Sequence, residues 1–96
     1  MNTGITGDTD RWQPADHIVF VVRDEQGVLL DLQEGRYYLL NDTATAIWTR
    51  MCGNRPVGEI KTELVTHYSG DPSAVQREVG EFIAALAAYN MVMRVA

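Results

Sequence analysis

Two histidines and one cysteine are the side chains in this sequence with the clearest potential for metal binding, acid–base catalysis or nucleophilic attack. His17 and His67 are far apart, and neither belongs to a spaced pair such as H-x-x-x-H that would bind a metal from one helix face. Cys52 falls near the end of a predicted helix, away from the helix N-termini that lower a thiol pKa. We therefore interpret the histidines as half-exposed structural residues and Cys52 as a small buried hydrophobic residue.

Other sequence patterns that support catalysis are also missing. The chain has no G-x-S-x-G nucleophile motif and no glycine-rich loop of the kind that binds phosphate. Its carboxylates do not form a pair with an obvious acid and an obvious base. We therefore expect a protein that is not an enzyme and that holds no metal and no cofactor.

Length and charge narrow the choice of function further. A chain of 96 residues, 46% of them hydrophobic, has room for one domain with one modest core. The formal net charge of −5 argues against a nucleic-acid partner, because such binders usually carry a basic face. A single cysteine, with no membrane-length apolar run and no signal peptide, fits a cytoplasmic protein without a membrane partner.

The first sixteen residues differ in composition from the rest of the chain. They are rich in threonine, glycine and aspartate, and Ile5 and Trp12 are their large apolar side chains. This is too little apolar surface to form a packed structure. We expect a flexible N-terminal tail over residues 1–16 and a folded domain over residues 17–96.

Three strand patterns come after the tail. Residues 18–22 are a β-branched run, and residues 24–27 supply a turn before the apolar run of residues 28–32. A second turn, ending at Gly35, leads into a third strand over residues 36–40. Short turns between consecutive strands predict a three-stranded antiparallel meander.

Three helix patterns come next, each with a start or stop signal. Asn41 is a good cap for a first helix that ends near Cys52, and Pro56 suits the start of a second helix. Asp71, followed by a proline, begins the third and longest helix. Asn90 can adopt the left-handed conformation that ends it.

A short final strand over residues 91–95 completes the predicted order. Three helices with tight turns attached to a small sheet predict an α+β fold, winged helix-turn-helix-like, with a three-stranded antiparallel sheet followed by three helices. Such folds often bind DNA through the third helix. The early part of this helix has Arg77 as its one cation, close to Glu78 and Glu81, so a phosphate backbone would be repelled about as much as attracted. A DNA-binding regulator is therefore the less favoured alternative.

The predicted third strand, residues 36–40, lies at a sheet edge unless another segment covers it. Edge strands are usually defended by proline, lysine or bulges, and this one has only Arg36. Its two tyrosines and two leucines suit a strand that accepts another strand. The same residues would also suit an ordinary strand packed on helices, so both interpretations stay open at this point.

Several stretches of the chain resemble the PqqD-like family of precursor-peptide recognition domains. The resemblance is carried by VLLDLQEGRYYLLNDTATAIW (residues 28–48), by a helix opening V-G-E-I, and by DPSAVQREVGEFIAAL (residues 71–86). It covers about residues 17–95, and the GRYY-x-LN form is most similar to the stand-alone leader-binding proteins of lasso peptide biosynthesis. Pro56 departs from the family, where a Ser or Thr cap is usual.

The resemblance implies that the chain binds the leader segment of a ribosomally synthesised precursor peptide. In such proteins the leader adds as an antiparallel strand to the third strand, in a groove against the third helix, and in lasso precursors a Tyr and a Pro enter apolar pockets. Carried over to this chain, the peptide-binding residues are Arg36, Tyr37, Tyr38, Leu39, Leu40, Val75, Val79, Phe82 and Ile83. Which of the last four face the peptide and which face the core stays open.

The resemblance also implies partners. The protein would be a non-catalytic adaptor that presents the precursor to a leader-cleaving cysteine protease and to an ATP-dependent macrolactam cyclase. An alternative within the same binding mode is a PqqD-type chaperone that delivers a precursor peptide to a radical-SAM enzyme.

Overall fold

The structure is a computed structural model that describes residues 7–95. Five strands and three helices follow one another in the order β-β-β-β-α-α-α-β. Their bounds are β1 (Arg11–Pro14), β2 (Ile18–Arg23), β3 (Gln26–Asp31), β4 (Arg36–Leu40), α1 (Asp42–Cys52), α2 (Val57–His67), α3 (Pro72–Ala88) and β5 (Val92–Val95). Among the described residues, no helix is long and apolar enough to span a bilayer.

The predicted meander is confirmed as a three-stranded antiparallel sheet in the order β2-β3-β4. β2 and β3 are joined by Asp24 and Glu25, whose φ angles are 53° and 64°. Two consecutive residues with positive φ are typical of a type I′ turn, which matches the twist of the strands that it joins. The turn is therefore shorter than predicted, and Gln26 and Gly27 already belong to β3.

Gly27, which the sequence placed in the turn, lies in β3, where its lack of a side chain allows close packing against α1. A Cβ atom at this position would lie 2.6 Å from the Thr45 hydroxyl oxygen and 3.2 Å from the Phe20 ring. The absence of a side chain thus lets α1 approach the sheet closely.

A buried carboxylate stabilises the turn between β3 and β4. Asp31 is 5% exposed, and one of its carboxylate oxygens accepts hydrogen bonds from the N–H groups of Gln33 and Glu34, each at 3.0 Å. Gly35 completes the turn with φ of 70°, a conformation that glycine adopts without strain. These contacts fix the point at which β4 begins.

The three helices lie on one side of this sheet and enclose the core, with α1 against β3 and β4 and with α2 packed on α1 and α3. Each helix contributes an apolar stripe at helical spacing, as the sequence predicted. The fully buried or nearly fully buried residues of these stripes are Ile47, Trp48 and Met51 from α1, Val57, Ile60 and Leu64 from α2, and Val79, Ile83 and Leu86 from α3. Leu29 from β3 and Leu40 from β4 meet them from the sheet.

The predicted caps of α1 and α3 are in place. The Asn41 side-chain oxygen accepts a hydrogen bond from the Ala44 N–H at 2.8 Å, and the Asp71 carboxylate accepts one from the Ser73 N–H at 3.1 Å. Asn90 has φ of 59°, and the next N–H, that of Met91, donates to the Leu86 carbonyl at 2.9 Å. This left-handed turn ends α3 and directs the chain into β5.

The prediction of a flexible tail over residues 1–16 is wrong for the part that the structure describes from Arg11 onward; residues 1–6 lie outside the described residues. Arg11–Pro14 forms β1, which pairs antiparallel with β5. Trp12 is 8% exposed, and Ala15 joins the same core. Trp12 is enough to anchor this segment because β1 pairs with β5, which comes from the other end of the chain. Local sequence patterns do not reveal such a long-range contact.

The N-terminal segment also caps α2. The carbonyls of Asp10 and Asp8 accept hydrogen bonds from the N–H groups of Val57 (2.9 Å) and Gly58 (2.8 Å). These are first-turn donors, which have no partner within the helix. Main-chain carbonyls therefore perform the task of a capping side chain, and this explains how α2 begins after Pro56, which makes no side-chain cap.

We expect Trp12→Ala to lower the free energy of unfolding by roughly 3 kcal/mol, because it removes a large buried side chain and leaves a cavity between β1, β5 and the helices. Urea denaturation followed by circular dichroism measures this. Leu32→Ala, at an apolar residue that is 65% exposed, is the control and should change the value by less than about 0.5 kcal/mol. Equal stability of the two variants would restore the tail interpretation.

Candidate functional site

The outer edge of β4 offers main-chain groups to a further strand. The Leu32 N–H donates to the His17 carbonyl at 2.9 Å, on the β2 side of the sheet. Because main-chain groups point alternately to the two sides of a strand, Asp31 turns its groups toward β4 and pairs there with Arg36. The same alternation continues along β4 from this pair. The main-chain groups of Arg36, Tyr38 and Leu40 therefore bond to β3. Tyr37 and Leu39 direct their N–H and C=O groups outward.

The side chains of β4 alternate between the two faces of the sheet. Tyr38 is half-buried and Leu40 is 5% exposed, and both face the helices. Tyr37 and Leu39 are 67% and 64% exposed and lie on the opposite face. Since no strand within residues 7–95 pairs with this edge, an added strand would find four main-chain groups without a described partner and, on the helix side, two apolar side chains.

An apolar cavity of about 240 Å³ lies between β4 and α3. Core residues line its base, and the side of α3 that faces β4 lines its wall. The lining residues are Leu29, Tyr38, Leu39, Leu40, Phe82, Ala85, Leu86, Tyr89 and Met91. We call this cavity the β4–α3 groove. An apolar side chain of an added strand could be buried in it, which is the usual way in which strand addition gains specificity.

A second cavity of about 290 Å³ lies against the same helix and shares Phe82 with the β4–α3 groove. It lies between the start of α1 and the middle of α3. Its lining residues are Asn41, Ala44, Ile47, Glu78, Glu81 and Phe82. Phe82 therefore lies between the apolar β4–α3 groove and a cavity that the carboxylates of Glu78 and Glu81 line.

The structure separates the four helix residues that the sequence placed in the site. Val79 and Ile83 are fully buried, so the structure places their side chains in the core and away from the surface of the groove. Val75 is partly buried against the same core and lines neither cavity. Phe82 is the one of the four that lines the groove.

The groove residues that sequence reasoning missed are Leu29 on β3, Ala85 and Leu86 on α3, and Tyr89 and Met91 just after α3. Phe82, Ala85 and Tyr89 are spaced i, i+3 and i+7, which places them on one helix face beside the core stripe of Val79 and Ile83. This second stripe could have been found from its spacing. In the structure Tyr89 stands out within this stripe, since it is 69% exposed although it is a large aromatic residue.

The histidines and the cysteine lie apart from the groove. His17 is half-buried and comes directly before β2. The His67 and Tyr68 rings meet edge to face, with their centroids 5.1 Å apart. Cys52 is exposed at the end of α1, so the expectation of a buried residue is wrong. Within residues 7–95, no three His, Cys, Asp or Glu residues are grouped as a metal site would require.

A two-layer domain with a free sheet edge beside an apolar groove defines a class of peptide-binding proteins. Comparison with known proteins is consistent with this class. The model of the family described as coenzyme PQQ synthesis protein D (PqqD) matches residues 26–92, and the chain belongs to this family. The resemblance inferred from the sequence is thereby confirmed. No curated protein sequence matches the chain.

Solved structures of similar fold include two complexes with leader peptides. The chain is 30% identical to TbiB1 in complex with the TbiA(beta) leader peptide, with a TM-score of 0.77 over 88% of this chain and 98% of that chain. Lasso peptide synthetase B1, complexed with the leader peptide, has a TM-score of 0.80 and 24% identity over 86% and 98% of the two chains.

A third structure of similar fold is a solution NMR structure. It is the PqqD truncation of Methylobacterium extorquens PqqCD, described as a functional and stand-alone recognition element for ribosomally synthesized and post-translationally modified peptides. It has a TM-score of 0.77 and 22% identity, and the match covers 98% of this chain and 100% of that chain. Because this structure and the synthetase B1 complex are less than 25% identical to the chain, they support only the assignment of its fold.

We expect Val79→Thr to destabilise the protein by about 1 to 3 kcal/mol, because a hydroxyl group would be buried in the core without water. Val75→Thr on the same helix, where the side chain is only partly buried, should cost less. Thermal or urea unfolding compares the two. Similar losses would mean that Val79 is not the core residue described above.

We expect Cys52 to react slowly with thiol reagents. Although the residue is exposed, partial burial raises the pKa of its thiol above the ordinary value, so less thiolate is present at neutral pH. Its rate of alkylation by iodoacetamide should fall below that of free cysteine at pH 7.5, and the two rates should converge as the pH rises above both pKa values. A faster rate than free cysteine would indicate an activated thiol and reopen a nucleophilic role.

Proposed function

We propose that this protein binds the leader segment of a ribosomally synthesised precursor peptide as an additional antiparallel strand on β4. The observation that carries the proposal is the pair of outward-facing residues, Tyr37 and Leu39, beside the β4–α3 groove. Family membership and the leader-peptide complexes of similar fold support the same conclusion.

The proposal assigns different tasks to the residues of the site. The main-chain groups of Tyr37 and Leu39 form the hydrogen bonds that hold the leader in register. Tyr38, Leu40, Phe82 and Tyr89 receive its apolar side chains. Arg36, exposed at the start of β4, lies where one end of the added strand would pass.

The expected affinity suits a complex that must form and then release. Four main-chain hydrogen bonds at about 0.5 to 1.5 kcal/mol each and two buried apolar side chains at about 1.5 to 3 kcal/mol each give roughly 5 to 12 kcal/mol. Association and ordering of a disordered leader offset several kcal/mol of this. With about 4 kcal/mol offset, the upper end of this range corresponds to a dissociation constant of about micromolar.

The second part of the proposal concerns the fate of the bound precursor. The protein is a non-catalytic adaptor of lasso peptide biosynthesis that presents the precursor to a leader-cleaving cysteine protease and an ATP-dependent macrolactam cyclase in the cytoplasm. Presentation raises the effective concentration of the precursor near the enzyme and needs no bond chemistry from the adaptor. The GRYY-x-LN form of β4 and the higher identity to TbiB1 in its leader-peptide complex (30%) than to the PqqD truncation (22%) favour this assignment over delivery to a radical-SAM enzyme.

Fluorescence anisotropy tests the binding function directly. A labelled peptide of the leader sequence encoded beside this protein should reach saturation at low micromolar protein or below. A labelled DNA duplex of similar mass should show no saturable change, because the net charge of −5 opposes a phosphate backbone. Saturation with the duplex and none with the leader would support the winged-helix regulator instead.

We expect Leu39→Pro to weaken leader binding by about tenfold with the fold retained, because the substitution removes one outward N–H and no bond to β3. Tyr38→Pro is the matched control on the adjacent residue. It removes an N–H that pairs with β3 and should destabilise the sheet by at least about 1 kcal/mol.

Anisotropy gives the affinity of each variant, and urea unfolding gives its stability. If Leu39→Pro loses stability as much as Tyr38→Pro, the direction assigned to these two N–H groups is wrong. If Leu39→Pro binds the leader as tightly as the unmodified protein, the leader does not pair with β4.

A further inference from the structure

The cavity of about 290 Å³ between the start of α1 and the middle of α3 has no part in the proposed function so far. We call it the α1–α3 cavity. Its apolar lining includes Ile47, which is fully buried, and Ala44 and Phe82, which are partly buried against the core. Glu78 and Glu81, one turn apart on α3, bring two carboxylates to the same space. A ligand that matches this lining has both an apolar part and a positive charge.

The two carboxylates are available to such a ligand. Glu78 and Glu81 are both exposed. Among residues 7–95 neither takes part in an ion pair, although Arg77 lies one turn before Glu81. The net charge of −5 adds to the attraction that they exert on a cation.

The lining suits a cationic side chain better than a metal ion. Calcium takes about six to eight oxygen ligands, and magnesium requires an octahedral set. The Asn41 side-chain oxygen already accepts the hydrogen bond that caps α1, which leaves two carboxylates beside an apolar wall. A lysine or arginine side chain matches this pattern, because its carbon stem packs on apolar surface while its charged end stays near water.

The position of the cavity relative to β4 indicates where this side chain comes from. The β4–α3 groove is lined by Tyr38, Leu39 and Leu40, whereas the α1–α3 cavity begins at the next residue, Asn41. Phe82 lines both spaces, so they are adjacent. A leader that pairs antiparallel with β4 runs in the opposite direction and therefore passes the α1–α3 cavity before it enters the groove.

The spacing along α3 gives the separation of the two contacts in the leader. The chain from Glu78 in the cavity to Ala85 in the groove covers about 10 Å of helix, at about 1.5 Å per residue. An extended strand covers the same distance in about three residues. The cationic residue should therefore lie about two to four positions before the first leader residue that enters the groove.

A cation at this point would help to fix the register of the leader. A strand that slips by two residues keeps its side chains on the same faces, so alternation alone does not exclude the slipped pairing. A slip toward the groove would move the cation from the carboxylates into an apolar space, where a charge loses water without gaining a partner. The two cavities would thus recognise two chemistries in a fixed order.

We propose that the α1–α3 cavity binds a lysine or arginine side chain of the leader, located just before the segment that pairs with β4. Glu78 and Glu81 are the residues that select this side chain. The inference rests on the proposed function and adds to it a charge requirement and a fixed starting point for the paired segment.

Glu78→Gln and Glu81→Gln, made singly in the full chain, test the cavity. Both residues are exposed and the substitution keeps the side-chain size, so the fold should persist, which urea unfolding checks. Asp16→Asn is the matched control. It also removes one negative charge from an exposed residue, but it lies just before β2, at the opposite edge of the sheet from β4.

Fluorescence anisotropy with the labelled leader encoded beside this protein measures the affinity. At about 50 mM salt we expect each glutamate variant to weaken binding by about threefold to tenfold, because a charge-assisted contact is lost. Asp16→Asn should stay within about twofold of the unmodified protein, since its charge is farther from the leader than the Debye length screens.

A second set of measurements changes the peptide. Each lysine or arginine that precedes the apolar residues of the leader is replaced in turn by methionine, which keeps an apolar stem and loses the charge. One replacement should weaken binding to the unmodified protein by about threefold to tenfold. The same replacement should change binding to the Glu78→Gln/Glu81→Gln double variant by less than about twofold, as expected for groups that contact each other.

The outcomes separate this inference from the proposed function. If the leader binds the glutamate variants as tightly as the unmodified protein, or if no replacement in the peptide couples to the glutamates, the cationic subsite is wrong and leader binding stands. An equal loss in Asp16→Asn would mean a general effect of net charge and would also overturn the subsite. If the leader does not bind the unmodified protein at all, the proposed function is wrong.

Discussion

The structure depends on one constraint of the peptide backbone: each strand residue other than proline has an N–H and a C=O that need partners, and within the sheet β4 satisfies those of only three of its five residues. The groups of Arg36, Tyr38 and Leu40 bond to β3, and those of Tyr37 and Leu39 face outward. A free edge of this kind is normally a liability. Here it lies beside an apolar groove, and the two together form the candidate peptide-binding site of this small chain.

The rest of the fold positions this edge. The buried Asp31 carboxylate holds the turn that precedes β4, and Asn41 caps α1 immediately after it, so both ends of the strand are fixed. Val79 and Ile83 anchor α3 in the core, which turns Phe82 and Tyr89 toward the strand. Because the groove is built on a sheet and a long helix, its shape should change little when a peptide binds.

Local patterns in the sequence predicted the elements well and their long-range contacts poorly. The bounds of β4 and the caps at Asn41 and Asp71 were predicted correctly, because turn and capping signals depend on a few neighbouring residues. The strand at Arg11–Pro14 was missed, since its stability comes from β5 at the other end of the chain. In the site, the spacing of apolar residues on α3 identified the helix but did not separate the core stripe from the groove stripe beside it.

Hydrogen exchange of the individual β4 amides, followed by NMR with and without the leader peptide, tests the central claim most directly. The account predicts that the Tyr38 amide is protected in both states, because it bonds to β3. It also predicts that the Tyr37 and Leu39 amides exchange rapidly in the free protein and become protected when the leader binds. A bound leader that leaves both amides exchanging at their free rates would contradict strand addition on β4.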